Sequence, residues 1–130
     1  MQASDRIGIF AKEQLALFYQ PQMSADGTRI VCVEGLLRLN HQTRGLLGPD
    51  NVLPYLDNSD LMDQLDWWVI ERACFDALRW PSITVSANVS ATQFLNPDFA
   101  RRVLAIVAEV GVPPQQIELE IVETAFIDDF

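Results

Sequence analysis

The stretch from Arg29 to Leu39, Arg-Ile-Val-Cys-Val-Glu-Gly-Leu-Leu-Arg-Leu, is a nearly continuous β-branched and aliphatic run broken by a carboxylate at Glu34 and a guanidinium at Arg38. Burying either charge without a partner costs on the order of several kcal/mol. Such a run folds as a strand, in which alternate residues share a face at about 3.3 Å per step. Cys32, Glu34, Leu36 and Arg38 then project together, with Glu34 and Arg38 about 13 Å apart along the strand. That spacing suits a cation at one point and an anionic ligand further along. The alternative is a buried Glu34 paired with a base elsewhere and Arg38 as a solvated strand end.

The flanking text supplies the rest of an α/β pattern. Ser4 or Asp5 caps a first helix over residues 1–14, carrying Ile7, Ile9, Phe10 and Ala11. Leu15 to Met23 reads as a strand with Pro21 near its end, and Ala25-Asp26-Gly27-Thr28 is a turn into the organising strand, which gives an antiparallel hairpin. Asn40 to Pro49 is polar and glycine-bearing and reads as a loop into a short helix near Pro49. His41, the single histidine, is there a loop residue rather than a metal ligand.

Ser59 or Asp60 caps the next helix, running to about Arg79, with Leu61, Leu65, Trp68, Val69, Ala73, Phe75, Ala77 and Leu78 as its apolar face. Trp67, Trp68 and Trp80 are packing residues. Ile83 to Val89 alternates as a strand ending at Asn88, a helix follows from about Asn96-Pro97 to Val110 with Gly111 as its stop, and Gln116 to Val122 is a further strand. A strand, a helix and a strand joined at this length make a parallel crossover. Three or four strands with interleaved helices leave the edges of a parallel sheet uncovered, so the chain reads as part of a larger barrel or sheet.

Composition narrows the function classes. A chain of 130 residues, 49% hydrophobic, is a globular domain rather than a disordered segment. Nine basic against eighteen acidic residues leave a net charge of −9, which argues against binding a nucleic acid polymer. Cys32 and Cys74 are separated and fit buried thiols of a reducing compartment. No apolar run approaches a membrane span or a leader's core, so the expectation is a cytoplasmic chain without direct membrane insertion.

Glu34, Asn88 and Glu120 each fall in or at the end of an expected strand. In α/β barrels, functional groups gather where the strands end, so residues distant in sequence converge at one mouth. Two carboxylates and a carboxamide oxygen are hard ligands suited to Mg²⁺ or Mn²⁺. Taken singly, Asn88 could instead satisfy a strand end, and Glu118 or Glu120 could face water.

Six blocks stand together in order: Phe-Tyr-Gln-Pro-Gln (18–22), Val-Glu-Gly-Leu-Leu-Arg-Leu (33–39), Arg-Gly-Leu-Leu-Gly-Pro (44–49), Trp-Val-Ile-Glu-Arg-Ala-Cys (68–74), Asn-Val-Ser-Ala-Thr-Gln-Phe (88–94) and Glu-Leu-Glu-Ile-Val-Glu-Thr-Ala (118–125). In order and spacing they resemble the EAL domain, a family of bacterial phosphodiesterases and receptors for cyclic di-GMP, over residues 15–130. The resemblance implies a TIM-like (β/α)₈ barrel variant whose first strand runs antiparallel to its neighbour. It also implies hydrolysis of cyclic di-GMP to linear pGpG with Mg²⁺ or Mn²⁺. By the motif match, Glu34, Asn88 and Glu120 are metal ligands, and Glu123 braces a loop of the metal site. Gln20, Leu36 and Arg38 contact the dinucleotide and its phosphate.

Two departures from the family's pattern are Gly35, where alanine is usual, and Val122, where threonine is usual; neither removes a ligand. The larger one is length, since an eight-stranded barrel takes about 250 residues. The chain reads as the N-terminal half of one such domain, truncated about halfway. Asp128-Asp129 comes too soon after Glu120 to be the family's metal-bridging aspartate pair. The expectation is that the parent cleaves cyclic di-GMP, that this piece alone does not, and that its open edges pair it into a dimer. The competing expectation is a receptor or interaction module that binds without cleaving.

Overall fold

The computed structural model describes residues 6–7, 10–41, 43–48 and 59–122. The organising run is strand β4 (Ile30–His41), and β3 (Leu15–Met23) lies antiparallel beside it, with Gln20 opposite Glu34, Phe18 opposite Leu36 and Ala16 opposite Arg38. The hairpin is closed by its expected turn. Asp26 accepts from the Ser24 hydroxyl at 2.6 Å and the Thr28 hydroxyl at 2.7 Å, and Gly27 takes a φ of 72°. Side-chain acceptors and a left-handed glycine are what such a turn requires.

Strands β6 (Thr84–Ser90) and β7 (Ile117–Val122) extend the sheet from β4 in parallel, Glu34 standing level with Ser86, and Asn88 with Glu120. The order is β3-β4-β6-β7, with a single antiparallel step between β3 and β4. Helices α1 (Ser59–Ala77), α2 (Ala91–Phe94) and α3 (Phe99–Val110) supply the connections. One face of the sheet carries the core, where Val33, Val85, Ala87 and Val89 join Ile70, Ala73, Cys74, Phe99 and Val107. Alternation puts Glu34, Ser86 and Asn88 on the other face.

Five expectations are corrected. The leading helix is not formed among the described residues: β1 (Arg6–Ile7) pairs antiparallel with β2 (Phe10–Ala11), and Lys12–Gln14 is a 3₁₀ turn. Isoleucines at 7 and 9 around a glycine disfavour a helix by propensity and alternate with a period of two. The loop after Asn40 instead holds β5 (Gly45–Leu47), antiparallel to the far end of β4 and turned through Gly45 at φ 74°. His41 ends β4, its Nδ1 accepting from the Thr43 N–H at 3.2 Å. The apolar face of α1 runs through Leu65, Val69, Ile70, Ala73, Cys74 and Ala77, whereas Phe75 and Leu78 stand 57% and 44% exposed, off that stripe. Gln116 lies in a 3₁₀ turn before β7 rather than in it. The short helix near Pro49, Glu123 and the Asp128-Asp129 pair lie outside the described residues.

Trp67 is buried against Phe99 at 5.6 Å with Arg102 over its ring at 4.1 Å, and Trp80 takes the edge of Tyr19 at 5.1 Å. Trp68 packs against the core. Gly111 caps α3 at φ 86°, its N–H donating to the Val107 carbonyl at 2.9 Å.

Candidate functional site

The parallel part of β4 ends at Gly35, where its pairing with β6 stops, so Glu34 sits at the C-terminal edge of the parallel sheet. Asn88 and Glu120 each stand two residues before the ends of β6 and β7. The three are thus carried to one mouth by adjacent strands. Asn88 Nδ2 donates to Glu34 Oε2 at 3.2 Å. Neither Glu34 nor Glu120 has a basic partner among the described residues. Glu34 is therefore met by a carboxamide rather than by the base that the strand pattern left open.

Beneath this group lies Cys32, two residues before Glu34 on the same face. Its thiol is pushed up first by burial, then by the carboxylates of Glu118, Glu120 and Glu34. Those three negative charges act on one point and mark a concentration of acid at the mouth. Glu118 stands level with Ser86 and Glu34 in the register and is exposed. Ser86 is fully buried, and its hydroxyl is unpartnered among the described residues.

Arg38 is half-buried rather than a solvated end. Its guanidinium donates to the Leu37 carbonyl at 2.8 Å and lies 6.0 Å from the centre of the Phe18 ring. Leu36 is the cross-strand partner of Phe18, and Gln20 is exposed opposite Glu34. The mouth thus grades from acid at Glu34 to an apolar patch and a cation at Arg38.

The donor set fits a hard divalent cation in kind, with two carboxylates, one carboxamide and no competing base. Among the described residues no three His, Cys, Asp or Glu side chains form a metal cluster. Asn88 presents its nitrogen, so holding a cation needs the carboxamide turned to present Oδ1, a rotation that side-chain amides make freely. These residues supply three of the roughly six oxygens such ions take.

One pair at this mouth was not read from the sequence. Asp66 of α1 accepts from the Ser90 hydroxyl at 2.8 Å, and Ser90 Oγ in turn accepts from the Gln93 N–H at 3.1 Å, capping α2. Burial pushes the Asp66 carboxyl up to about 6 against the pull of the Ser90 bond, and the charge of Asp63 adds to the rise. Ser90-Ala-Thr-Gln93 has the Ser-x-x-Gln spacing of a capping box, the signal that could have found it. Only half of that box forms, because both amide atoms of Gln93 are buried without a partner among the described residues.

On the opposite face a cavity of about 570 Å³ opens between β3 and α1, lined by Tyr19, Trp68, Asp76 and Trp80 among others. Its cations, Arg72 and Arg79, lie 3.3 and 3.4 Å from the buried Asp76 carboxylate, which also accepts from the Tyr19 hydroxyl at 2.5 Å. Burial, then that bond, pushes the Tyr19 phenol up. The charges are satisfied internally, so we read the cavity as a packing groove.

The chain is similar to known proteins over nearly its whole length. The family model described as EAL domain matches residues 3–130. An uncharacterised signalling protein of Caulobacter vibrioides is 33% identical over 121 residues, covering 92% of this chain and 15% of that protein. A solved structure titled PaMucR phosphodiesterase, c-di-GMP complex, superposes with a TM-score of 0.79 at 29% identity, over 91% of this chain and 50% of that one. The structure of the EAL enzyme Bd1971 in a cAMP and cyclic di-GMP bound form gives a TM-score of 0.74 at 27% identity, over 90% of this chain and 35% of that one. The chain therefore spans half or less of each. The mixed sheet with its antiparallel first step is part of a TIM-barrel-like fold.

Proposed function

This chain belongs to the EAL domain family, and from that premise we propose that it carries the first half of a metal-dependent phosphodiesterase site for cyclic di-GMP. The observation that supports this reading is the contact of Asn88 with Glu34 at 3.2 Å across adjacent strand ends, with Glu120 level with Asn88 on the next strand. The related PaMucR phosphodiesterase was solved as a c-di-GMP complex.

Glu34, Asn88 and Glu120 would hold Mg²⁺ or Mn²⁺ through their oxygens, and Glu123, outside the described residues, is assigned by the family motif to bracing the metal site. When bound, such an ion polarises a phosphoryl oxygen and acidifies a water. Arg38 presents paired N–H donors to a phosphodiester. Leu36 and Phe18 give an apolar floor to the dinucleotide, and Gln20 offers amide groups at its rim. The product of cleaving one of the two phosphodiester bonds is linear pGpG. Both cysteines among the described residues are free and buried, which fits a reducing cytoplasm. No helix among the described residues is long and apolar enough to cross a membrane.

With three donors, the 130-residue chain by itself is expected to leave cyclic di-GMP intact, while the complete parent domain hydrolyses it with Mg²⁺ or Mn²⁺. A second reading, a receptor that binds without cleaving, rests on the Gly35 and Val122 departures from the family's pattern. Glu34→Gln in the complete domain separates them. For an enzyme, turnover to pGpG falls by at least about a hundredfold, the size of losing an electrostatic contribution of this kind. For a receptor there is no turnover to lose, and the affinity for cyclic di-GMP changes little. A wild-type complete domain that leaves cyclic di-GMP intact with either ion overturns the enzyme reading.

A further inference from the structure

The half-buried carboxyl of Asp66 has a single hydrogen-bond partner, Ser90, among the described residues, and no base beside it. A carboxylate in that setting gains little stability from its charge, so its use lies in what it fixes. Ser90 ends β6 two residues after Asn88, and it opens α2. A hydroxyl has one proton to donate, and here it goes to Asp66 Oδ2 at 2.8 Å while the oxygen accepts from the Gln93 N–H at 3.1 Å. The corner that follows Asn88 is thus tied on one side to α1 and on the other to the first turn of α2. Gln93 cannot share that task, since neither of its amide atoms has a partner among the described residues.

We propose that Asp66, acting through the Ser90 hydroxyl, is a positioning residue that holds the end of β6 so that the Asn88 carboxamide faces Glu34. The pair touches neither substrate nor cation. Its effect on metal affinity rests on the proposed reading of Glu34, Asn88 and Glu120 as ligands, whereas its effect on Asn88 does not. Outer partners that orient ligands typically change metal affinity by about tenfold to a hundredfold when removed.

The test uses the 130-residue chain labelled with ¹⁵N, reading the Asn88 side-chain amide resonances, with Mn²⁺ alone as the paramagnetic probe. Asp66→Ala and Ser90→Ala should each shift the two Asn88 amide protons toward the positions of a free carboxamide and weaken Mn²⁺ broadening at Glu34, Asn88 and Glu120 by about tenfold. Asp66→Asn keeps an acceptor and Ser90→Thr keeps the hydroxyl, so both should restore the wild-type amide shifts and stay within about twofold in Mn²⁺ affinity, well inside that loss. A purely structural role would leave the Asn88 amide shifts and the Mn²⁺ affinity unmoved in all four variants, whatever their melting points. The proposal is overturned if Ser90→Ala, which removes one oxygen and is expected to fold, leaves the Asn88 amide unmoved, or if Asp66→Asn disturbs it as much as Asp66→Ala. If the amide responds as expected while Mn²⁺ broadens none of the three residues in the wild type, the positioning pair stands and the metal reading falls.

Discussion

Asp66 and Asp26 are both carboxylates bonded by hydroxyls, and their surroundings move them in opposite directions. Asp26 sits in the exposed hairpin turn, where the Ser24 hydroxyl first, then the Thr28 hydroxyl and N–H, hold it down at about 2. Asp66 is pushed up to about 6 because burial outweighs the single Ser90 bond. From the ordinary 3.8 to about 6, the unfolded chain releases its Asp66 proton first while the native state retains it. Stability from this group therefore falls as pH rises through that window and stays low above it. That rise bounds the effect at about 3 kcal/mol, and solvent screening of a half-buried group reduces it to about 1–2 kcal/mol. Asp66→Asn, which keeps an acceptor for Ser90, should equal the wild type in stability below pH 4 and exceed it by that amount at pH 7. Urea denaturation of both chains across this range checks it, and a constant difference between them would remove burial of the charge as the cause. The other residue-scale departure, Gly35, is harmless to the site. A methyl there would meet Leu17 Cδ1 and Tyr19 Cε1, each at 3.3 Å, on the packing face away from Glu34.

Among the elements, the connection from α1 into the sheet is fastened by a side chain as well as by its own backbone turns. Gln116 Nε2 donates to the Ala77 carbonyl at 2.6 Å and the Trp80 carbonyl at 2.7 Å, so the turn before β7 closes the end of α1. Gln116→Ala removes that donor from two carbonyls that still accept from the Trp80 and Ile83 N–H groups at 3.0 and 2.9 Å, and the two lost bonds are expected to lower stability by about 1–3 kcal/mol, measured by urea denaturation; a loss below about 0.5 kcal/mol would mean that the backbone partners suffice. Nothing in the text Pro-Pro-Gln-Gln distinguishes this role from that of a strand's first residue. The elements that were readable carried two agreeing signals: alternation plus a turn for β3 and β4, and an apolar face plus Gly111 for α3. The ones that were missed carried one. Leu46-Leu47 between glycines reads as loop until β4 offers an edge, and the first residues have too few apolar positions to separate periods of two and 3.6. On α1, Phe75 is apolar by type, yet it lies opposite the stripe of Ala73 and Ala77, and Arg72 covers its ring at 5.6 Å. The site divides the same way. Strand alternation gave the shared face of Glu34 and Arg38 and the family motifs singled out Asn88 and Glu120, but the Asn88–Glu34 contact depends on a cross-strand register that no local pattern contains.

At the scale of the whole molecule, the described sheet ends at β3 on one side and β7 on the other, and no described strand pairs with the far side of β7. Exposed apolar side chains lie on both edge strands, Phe18 of β3 at 49% and Ile121 of β7 at 39% among them. Unpaired backbone N–H and C=O groups beside apolar surface are a template for a second strand, and two such sheets brought edge to edge would continue the curvature of a barrel. We therefore propose that the 130-residue chain self-associates through these edges, with a dimer as the smallest closed form. Its net charge of −9 works against this, because like-charged protomers repel until salt screens them over about 10 Å at 0.1 M. Association should then strengthen with ionic strength, the reverse of an assembly held by ion pairs. Sedimentation velocity at micromolar concentration in low and high salt measures both parts at once. A dimer that grows with salt carries the edge-pairing account, one that dissolves with salt replaces it by an ionic interface, and a single monomeric boundary under both conditions means that the edges are covered within one chain.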